Sequence, residues 1–327
     1  MYDGNYDRDN MEYRKIIEFG KSSFVMSLPK DWLKENNIKK GDVVYLNRET
    51  DKLVVYPADN ADSKKERKIT IDVTDMTLEE IGLQLSTLYI RNFTKIILTA
   101  DSMKLRAKDI RLLIHELMAL EVIEEDASKI VTRAFINMDD ISPLDLLEKM
   151  DIITREMIVD SKTAFNEDKS ENIYLRDLDV NRLSLLLFRS VRYLQKNPDA
   201  ARKKNISYEH LLAMWDVATK VEEIADQAKR LAKLMRRVKL HKDEEEEFYK
   251  LFSSVEKYYH DTMEVFNALD KERALKLAFG QKRLVKKCRD FYRQNWDHEW
   301  VPVLLEKLKT TIAACKSISM AVGDMDC

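Results

Sequence analysis

Glu222 and Asp226 are the pair in this chain whose type and spacing point most directly to chemistry. They stand four residues apart, so on a helix they share one side, one turn from each other. Like charges at that spacing repel by about a few tenths of a kcal/mol on an isolated helix. A cation, a partner's Lys or Arg, or plain solvent must relieve them. A second group is basic. Arg14, Lys15, Lys21 and Lys30 gather about one short turn, with the hydroxyls of Ser22 and Ser23 among them. Such groups suit the phosphates of a nucleic-acid backbone, contacts that position a protein on a duplex. Catalytic residues are not expected. The sequence offers no nucleophile–base pair, no Gly-x-x-x-x-Gly-Lys phosphate loop and no Glu-x-x-His motif.

The carboxylate pair needs a helix, and the sequence predicts one over 208–240 with no Gly or Pro inside it. Val217, Val221, Ile224, Ala228, Leu231 and Met235 recur at steps of four and three, which makes one apolar stripe. Met214, Ala218, Ala225 and Ala232 widen it, so this helix should have neighbours on more than one side. Glu222 and Asp226 flank the stripe. Helices are also predicted over 142–168, 171–197, 242–269, 271–296 and 301–325. Six long helices divide naturally as three plus three, a repeated three-helix bundle. The 14 methionines are dispersed through such stripes and read as core filling.

The basic group sits in a stretch of different texture. Ile16, Ile17 and Phe19, then Phe24, Val25, Met26 and Leu28, flank the turn Gly20–Lys21–Ser22–Ser23. Pro29 opens a short helix over 30–36, a position where proline is tolerated. A second hairpin follows, 43–46 with 53–56. A polar linker at 60–65 leads to a β-α-β-α-β pattern over 68–136, in which Thr77 and Glu80 make a capping box. Glu121, Glu124, Glu125 and Asp126 read as a solvated acidic loop, and His115 as a surface or packing residue.

Totals exclude several classes. The chain has 327 residues, enough for two or three domains. Gly (6) and Pro (5) are scarce, which favours long helices over a large β-rich or disordered protein. A net charge of −2 supplies no global field toward nucleic acid or membrane, so any such contact must be local. Three cysteines without Cys-x-x-Cys spacing read as free thiols of a reducing compartment. No apolar run reaches about 18 residues and the start is polar, so the expectation is a cytoplasmic protein with no membrane insertion.

Two family resemblances add to this reading. Arg14–Lys15–Ile16, the Gly20–Ser23 turn, Val25-x-x-Leu28–Pro29–Lys30, Trp32–Leu33 and Ile38–Lys39–Lys40–Gly41–Asp42–Val43 resemble the SpoVT/AbrB swapped-hairpin DNA-binding domains. The resemblance implies a domain at 11–58 in which two copies interlock into one barrel. It implies homodimerisation and DNA as a partner, with Arg14, Lys15, Lys21, Ser22, Ser23 and Lys30 in contact. So small a unit cannot bury a core alone. Nine Lys/Arg against seven Asp/Glu over 11–58 leave a balance of +2, so a module that only dimerises remains the alternative.

The helical part, 142–327, resembles the PhoU family of phosphate-uptake regulators. Asp177–Leu178–Asp179–Val180–Asn181 is similar to its first acidic motif, with Asn181 where Asp is common. Glu222–Glu223–Ile224–Ala225–Asp226 is similar to its Glu-x-Ile-Gly-Asp motif. The resemblance implies a metal ion held by Asp177, Asn181, Glu222 and Asp226. Oxygen ligands suit Mg, Mn or Ca; iron is compatible and zinc less so. The second bundle departs, with Gln281, Lys282, Arg283, Lys286 and Lys287 where an acidic pair would recur. The fold expected is mainly α: two tandem PhoU-like three-helix bundles, preceded by a small β-rich swapped-hairpin domain and a small α/β domain at 66–138. The function expected is a DNA-binding regulator of phosphate uptake or metabolism. The alternative is a signalling adaptor that docks on a phosphate transporter or kinase.

Overall fold

The computed structural model describes residues 13–20, 23–48, 53–57 and 66–324. The chain divides into two compact units, Met1–Lys65 and Glu66–Cys327.

In the first unit, β1 (Ile17–Phe19) pairs antiparallel with β2 (Ser23–Val25), and Glu18 faces Phe24 across the ladder. Helix α1 (Lys30–Glu35) follows, then the hairpin of β3 (Val44–Arg48) and β4 (Leu53–Pro57). The Lys–Gly–Asp turn between them rests on one conformation. Gly41 has φ +98°, which a side chain would resist, and the Asp42 carboxylate accepts from the Lys39 N–H at 2.6 Å. None of the described side chains of this unit is buried.

The second unit opens with a four-stranded sheet in the order β5 (Lys68–Asp72), β6 (Lys95–Thr99), β8 (Lys129–Ala134), β7 (Leu120–Glu125). β5 and β6 run parallel through the crossover α2 (Leu78–Ile90), and the other two pairings are antiparallel. Thr77 and Glu80 complete the expected capping box. Of the expected acidic loop, Asp126 lies in the turn after β7, but Glu121, Glu124 and Glu125 belong to the strand. Leu120 and Val122 alternate inward, and the acids line the edge strand β7, where charge discourages further strand pairing. Glu124 pairs with Lys129 at 2.5 Å and Glu125 with Arg111 at 2.8 Å. Helix α3 (Met103–His115) turns Met103, Ala107, Ile110 and Ile114 to the core.

Seven helices complete the chain: α4 (Pro143–Lys162), α5 (Ser170–Lys196), a short α6 (Pro198–Lys203) absent from the sequence expectation, α7 (Tyr208–Met235), α8 (Lys242–Ala268), α9 (Lys271–Gln294) and α10 (Val301–Asp324). α7 ends five residues short of the expected 240, since the chain turns after Arg237 to bring Val238 to the core. α4, α5 and α7 form the first bundle, and α8, α9 and α10 the second. α7 also packs on α10, and α4 on α8, so one continuous core runs through both. No helix among the described residues is long and apolar enough to cross a membrane.

The α/β part does not stand apart from the helices. Arg189 of α5 is 1% exposed. Its guanidinium donates to the carbonyls of Tyr89 (2.7 Å) and Phe93 (3.2 Å), and Asn92 donates back to the Arg189 carbonyl (3.0 Å). The last carbonyls of a helix lack intrahelical partners and carry partial negative charge, so a cation is well placed at the end of α2.

Candidate functional site

The site begins with Asp177. On α5 it lies within the buried stripe, with Ile173, Val180, Ser184 and Leu187 at steps of four and three. That register turns the carboxylate toward α7 and leaves it 2% exposed. Isolated carboxylates do not persist in such surroundings without a partner. The partner is Lys229, one turn beyond Asp226 on α7. Its Nζ lies 2.6 Å from Asp177 Oδ2 and 3.0 Å from Asp226 Oδ1. Asp226 Oδ2 accepts from Arg230 Nε at 2.6 Å. α7 is held in place from behind, where Ser161 of α4 donates to the Ala228 carbonyl at 2.9 Å.

Glu222 completes the group as a half-buried side chain. Burial pushes its carboxyl above the usual range. Asp226 and then Asp177 push the same way, and Lys229 opposes them. Burial alone would lower the Lys229 ammonium, but its bonds to Asp177 and Asp226 hold it above its ordinary value. Two of the four residues expected to bind metal, Asp177 and Asp226, are therefore bridged by one ammonium, and Glu222 feels the charge of all three. Asn181 is half-buried, and its backbone carbonyl accepts from the Ser184 hydroxyl at 2.8 Å.

Sequence reasoning misses Lys229, although its signal is there. Lys229 and Arg230 follow Asp226 at the i+3 and i+4 spacings that let opposite charges meet on a helix. Asp177 Oδ1, buried and without a hydrogen-bond partner, is a spare oxygen in the cluster. Among the described residues, the set of potential ligand side chains with donor atoms within 4.8 Å of one another lies elsewhere, at His260, Asp261 and Glu264 of α8. That set is already answered by Lys257 (3.5 Å from Asp261) and Arg273 (3.6 Å from Glu264).

The geometry is that of two helices whose carboxylates face each other across a cation, on the first of two bundles. Comparison with known families gives this part a description. Residues 147–235 match the PhoU domain. The matched stretch runs from α4 to the last residue of α7 and contains Asp177, Asn181, Glu222, Asp226 and Lys229. Residues 19–63 match the MazE family, described as antidote-toxin recognition, bacterial antitoxin. Among solved structures, PhoU from Pseudomonas aeruginosa is similar at 13% identity and a TM-score of 0.45, over 56% of this chain and 90% of that one. A comparison with curated proteins gives no match.

In the MazE-like unit the expected contact residues are spread along the chain from before β1 to the start of α1. Arg14 and Lys15 precede β1, Ser23 opens β2 and Lys30 opens α1, and all four are exposed. Lys21 and Ser22 lie outside the described residues. The family match begins at residue 19, so Arg14 and Lys15 fall before it.

Proposed function

We propose that this chain is a DNA-binding regulator of phosphate uptake or metabolism, with the PhoU-like bundles modulating the DNA affinity of the MazE-like unit. The observation that carries the reading is the occurrence of both matches, 19–63 and 147–235, in one chain. In physical terms, a ligand that binds one arrangement of the bundles better shifts the population toward it, and the DNA affinity follows. The MazE-like unit acts as a homodimer, because alone it leaves its apolar side chains in water. Duplex binding should then depend steeply on salt. Replacing Arg14 and Lys21 by Ala should flatten the slope of log affinity against log salt by about 0.9 for each phosphate no longer neutralised. Gel-shift titrations at several salt concentrations measure it. A parent protein with no salt-sensitive duplex binding would instead favour the adaptor reading, in which a transporter or kinase is the partner.

The carboxylate cluster is the proposed cation site of this regulator. Its oxygen donors suit a hard or iron-type ion, and the unpaired Asp177 Oδ1 offers a ligand atom. Asp177, Asn181, Glu222 and Asp226 would hold the ion, which would supply the positive charge that Lys229 supplies here. Ion and ammonium therefore compete for the same oxygens.

Glu222 makes a pH test. Its folded carboxyl holds its proton more tightly than the unfolded chain does. Its contribution to stability is therefore greatest below the unfolded value of about 4.5 and is lost as pH rises through the folded value. At pH 7 in chelator, Glu222→Gln should match or exceed the parent by on the order of 0.5 kcal/mol, the scale of a like-charge pair. The difference should close toward pH 4. A variant that melts lower than the chelated parent at pH 7 would show that the Glu222 charge is favourably held instead.

A further inference from the structure

α9 is the most basic element of the chain. Of its 24 residues nine are Lys or Arg and two are Asp or Glu, and it buries only Ala274, Leu284, Cys288 and Phe291. Part of this charge, though exposed, is gathered along one groove. It lines a cleft of about 410 Å³ between α8 and α9, within the usual size range of small-molecule sites. The cleft contains Lys257 from α8 and Arg273, Lys276, Arg283 and Lys287 from α9. The α9 residues recur at steps of three, four and seven, so the helix presents them on one side.

Three of these cations are answered. Lys257 pairs with Asp261, Arg273 with Glu264 and Lys276 with Glu272. Arg283 and Lys287 meet no carboxylate among the described residues, and they stand one turn apart, where like charges repel. Lys287 Nζ instead donates to Ser254 Oγ across the cleft at 3.1 Å. The surplus at this end is therefore two positive charges, beside a hydroxyl that accepts from Lys287 and donates its own proton to the Lys250 carbonyl at 2.9 Å. Gly280 lies between Lys276 and Arg283. A Cβ there would meet nothing within 4 Å, so close packing does not explain a glycine that costs the helix about 1 kcal/mol relative to alanine. Its effect is to leave the middle of the cleft open.

We infer that the α8–α9 cleft is a binding site for a phosphoryl-group anion, seated between Arg283 and Lys287. A phosphoryl group carries about −1.5 to −2 charges at neutral pH and several acceptor oxygens, which matches two cations that meet no carboxylate. A monocarboxylate would neutralise only half the surplus. The site is distinct from the carboxylate cluster on α5 and α7, and it does not depend on the DNA-binding reading. The same chemistry could arrive as free phosphate or as the end of a polyphosphate chain.

The test is calorimetric titration of the full-length protein with inorganic phosphate and with tripolyphosphate, at physiological ionic strength and without DNA. Three proteins are compared: the parent, Arg283→Gln/Lys287→Gln, and Lys282→Gln/Lys286→Gln. The last pair removes the same charge from equally exposed positions of α9 outside the cleft. The cleft pair should weaken binding by about tenfold or more, because it removes two charge-assisted hydrogen bonds. The control pair should weaken it by no more than about threefold, because screening limits the reach of exposed charges. Tighter binding of tripolyphosphate than of phosphate would assign the site to the chain polymer, and equal affinity to the free ion. Equal weakening by both pairs would reduce the cleft to part of a diffuse field and overturn the proposal. So would failure of the parent to bind either anion at millimolar concentration. Loss of duplex binding in the cleft pair, with neither small anion bound, would give the surface to nucleic acid instead.

Discussion

Replacing Lys229 with methionine should lower the melting temperature of the helical unit by several degrees in chelator. Lys229 is the partner through which the buried Asp177 carboxylate is neutralised, at 2.6 Å, and Asp177 Oδ1 already lacks one. Removing one member of a buried pair costs about 3–5 kcal/mol. Lys229 keeps a third of its side chain in water, so about 2–3 kcal/mol is expected, which for a unit of this size is on the order of 5–10 °C. Methionine keeps the stem and its packing, so the loss reports the charge. Asp177→Asn added to Lys229→Met should recover most of the stability, because the uncompensated charge is gone. Mn or Mg should stabilise Lys229→Met more than the parent, since a cation binding only the folded state raises its stability and here meets no competing ammonium. Thermal melts of the parent, Lys229→Met and the double variant, with and without metal, decide it. Recovery without any response to metal would leave a salt bridge and no metal site.

The sequence carries the stripe of α7 in full, and the structure surrounds that helix with α4, α5 and α10 as its width requires. Local signals with a single physical cause are equally legible: the Thr77 cap, the Gly41 turn, and Pro29 just ahead of α1. What stays hidden depends on partners distant in the chain. Leu120–Glu125 is a strand only because β8 lies beside it, and its acids alone suggest solvent. Arg189 lies on the side of α5 away from its buried stripe, where a charge reads as solvated, and nothing near it in sequence shows that the end of α2 needs a donor there. Asp177 is the same case in reverse. Its place inside a stripe marks a buried charge, but the neutralising lysine is 52 residues away on another helix. The site is legible as a set of carboxylates and illegible as a set already holding a cation.

Aspartate at both Ile17 and Phe24 should dissociate the protein into monomers and cut duplex binding by at least about tenfold. The two side chains are 61% and 71% exposed in the single chain, along with Phe19 at 69%. Were these positions exposed in the working protein too, such a change would stay within about ±0.5 kcal/mol. If a second copy completes the core, as the proposed homodimer requires, a charge introduced on this hairpin is instead buried once per chain. Substitution in a strand also costs intrinsic β-propensity, up to about 1 kcal/mol, so Thr at the same positions serves as a control that keeps the propensity without the charge. A second control is Leu105→Asp in the helical unit, where the leucine is 84% exposed. Sedimentation velocity at tens of micromolar should show the parent and Leu105→Asp as dimers or larger, the Asp pair as monomers, and the Thr pair between them. Far-ultraviolet dichroism should be almost unchanged throughout, because the long helices lie in the other unit. An Asp pair that sediments with the parent would mean that these side chains are not at the interface between copies, and the interlocked hairpin would have to be abandoned.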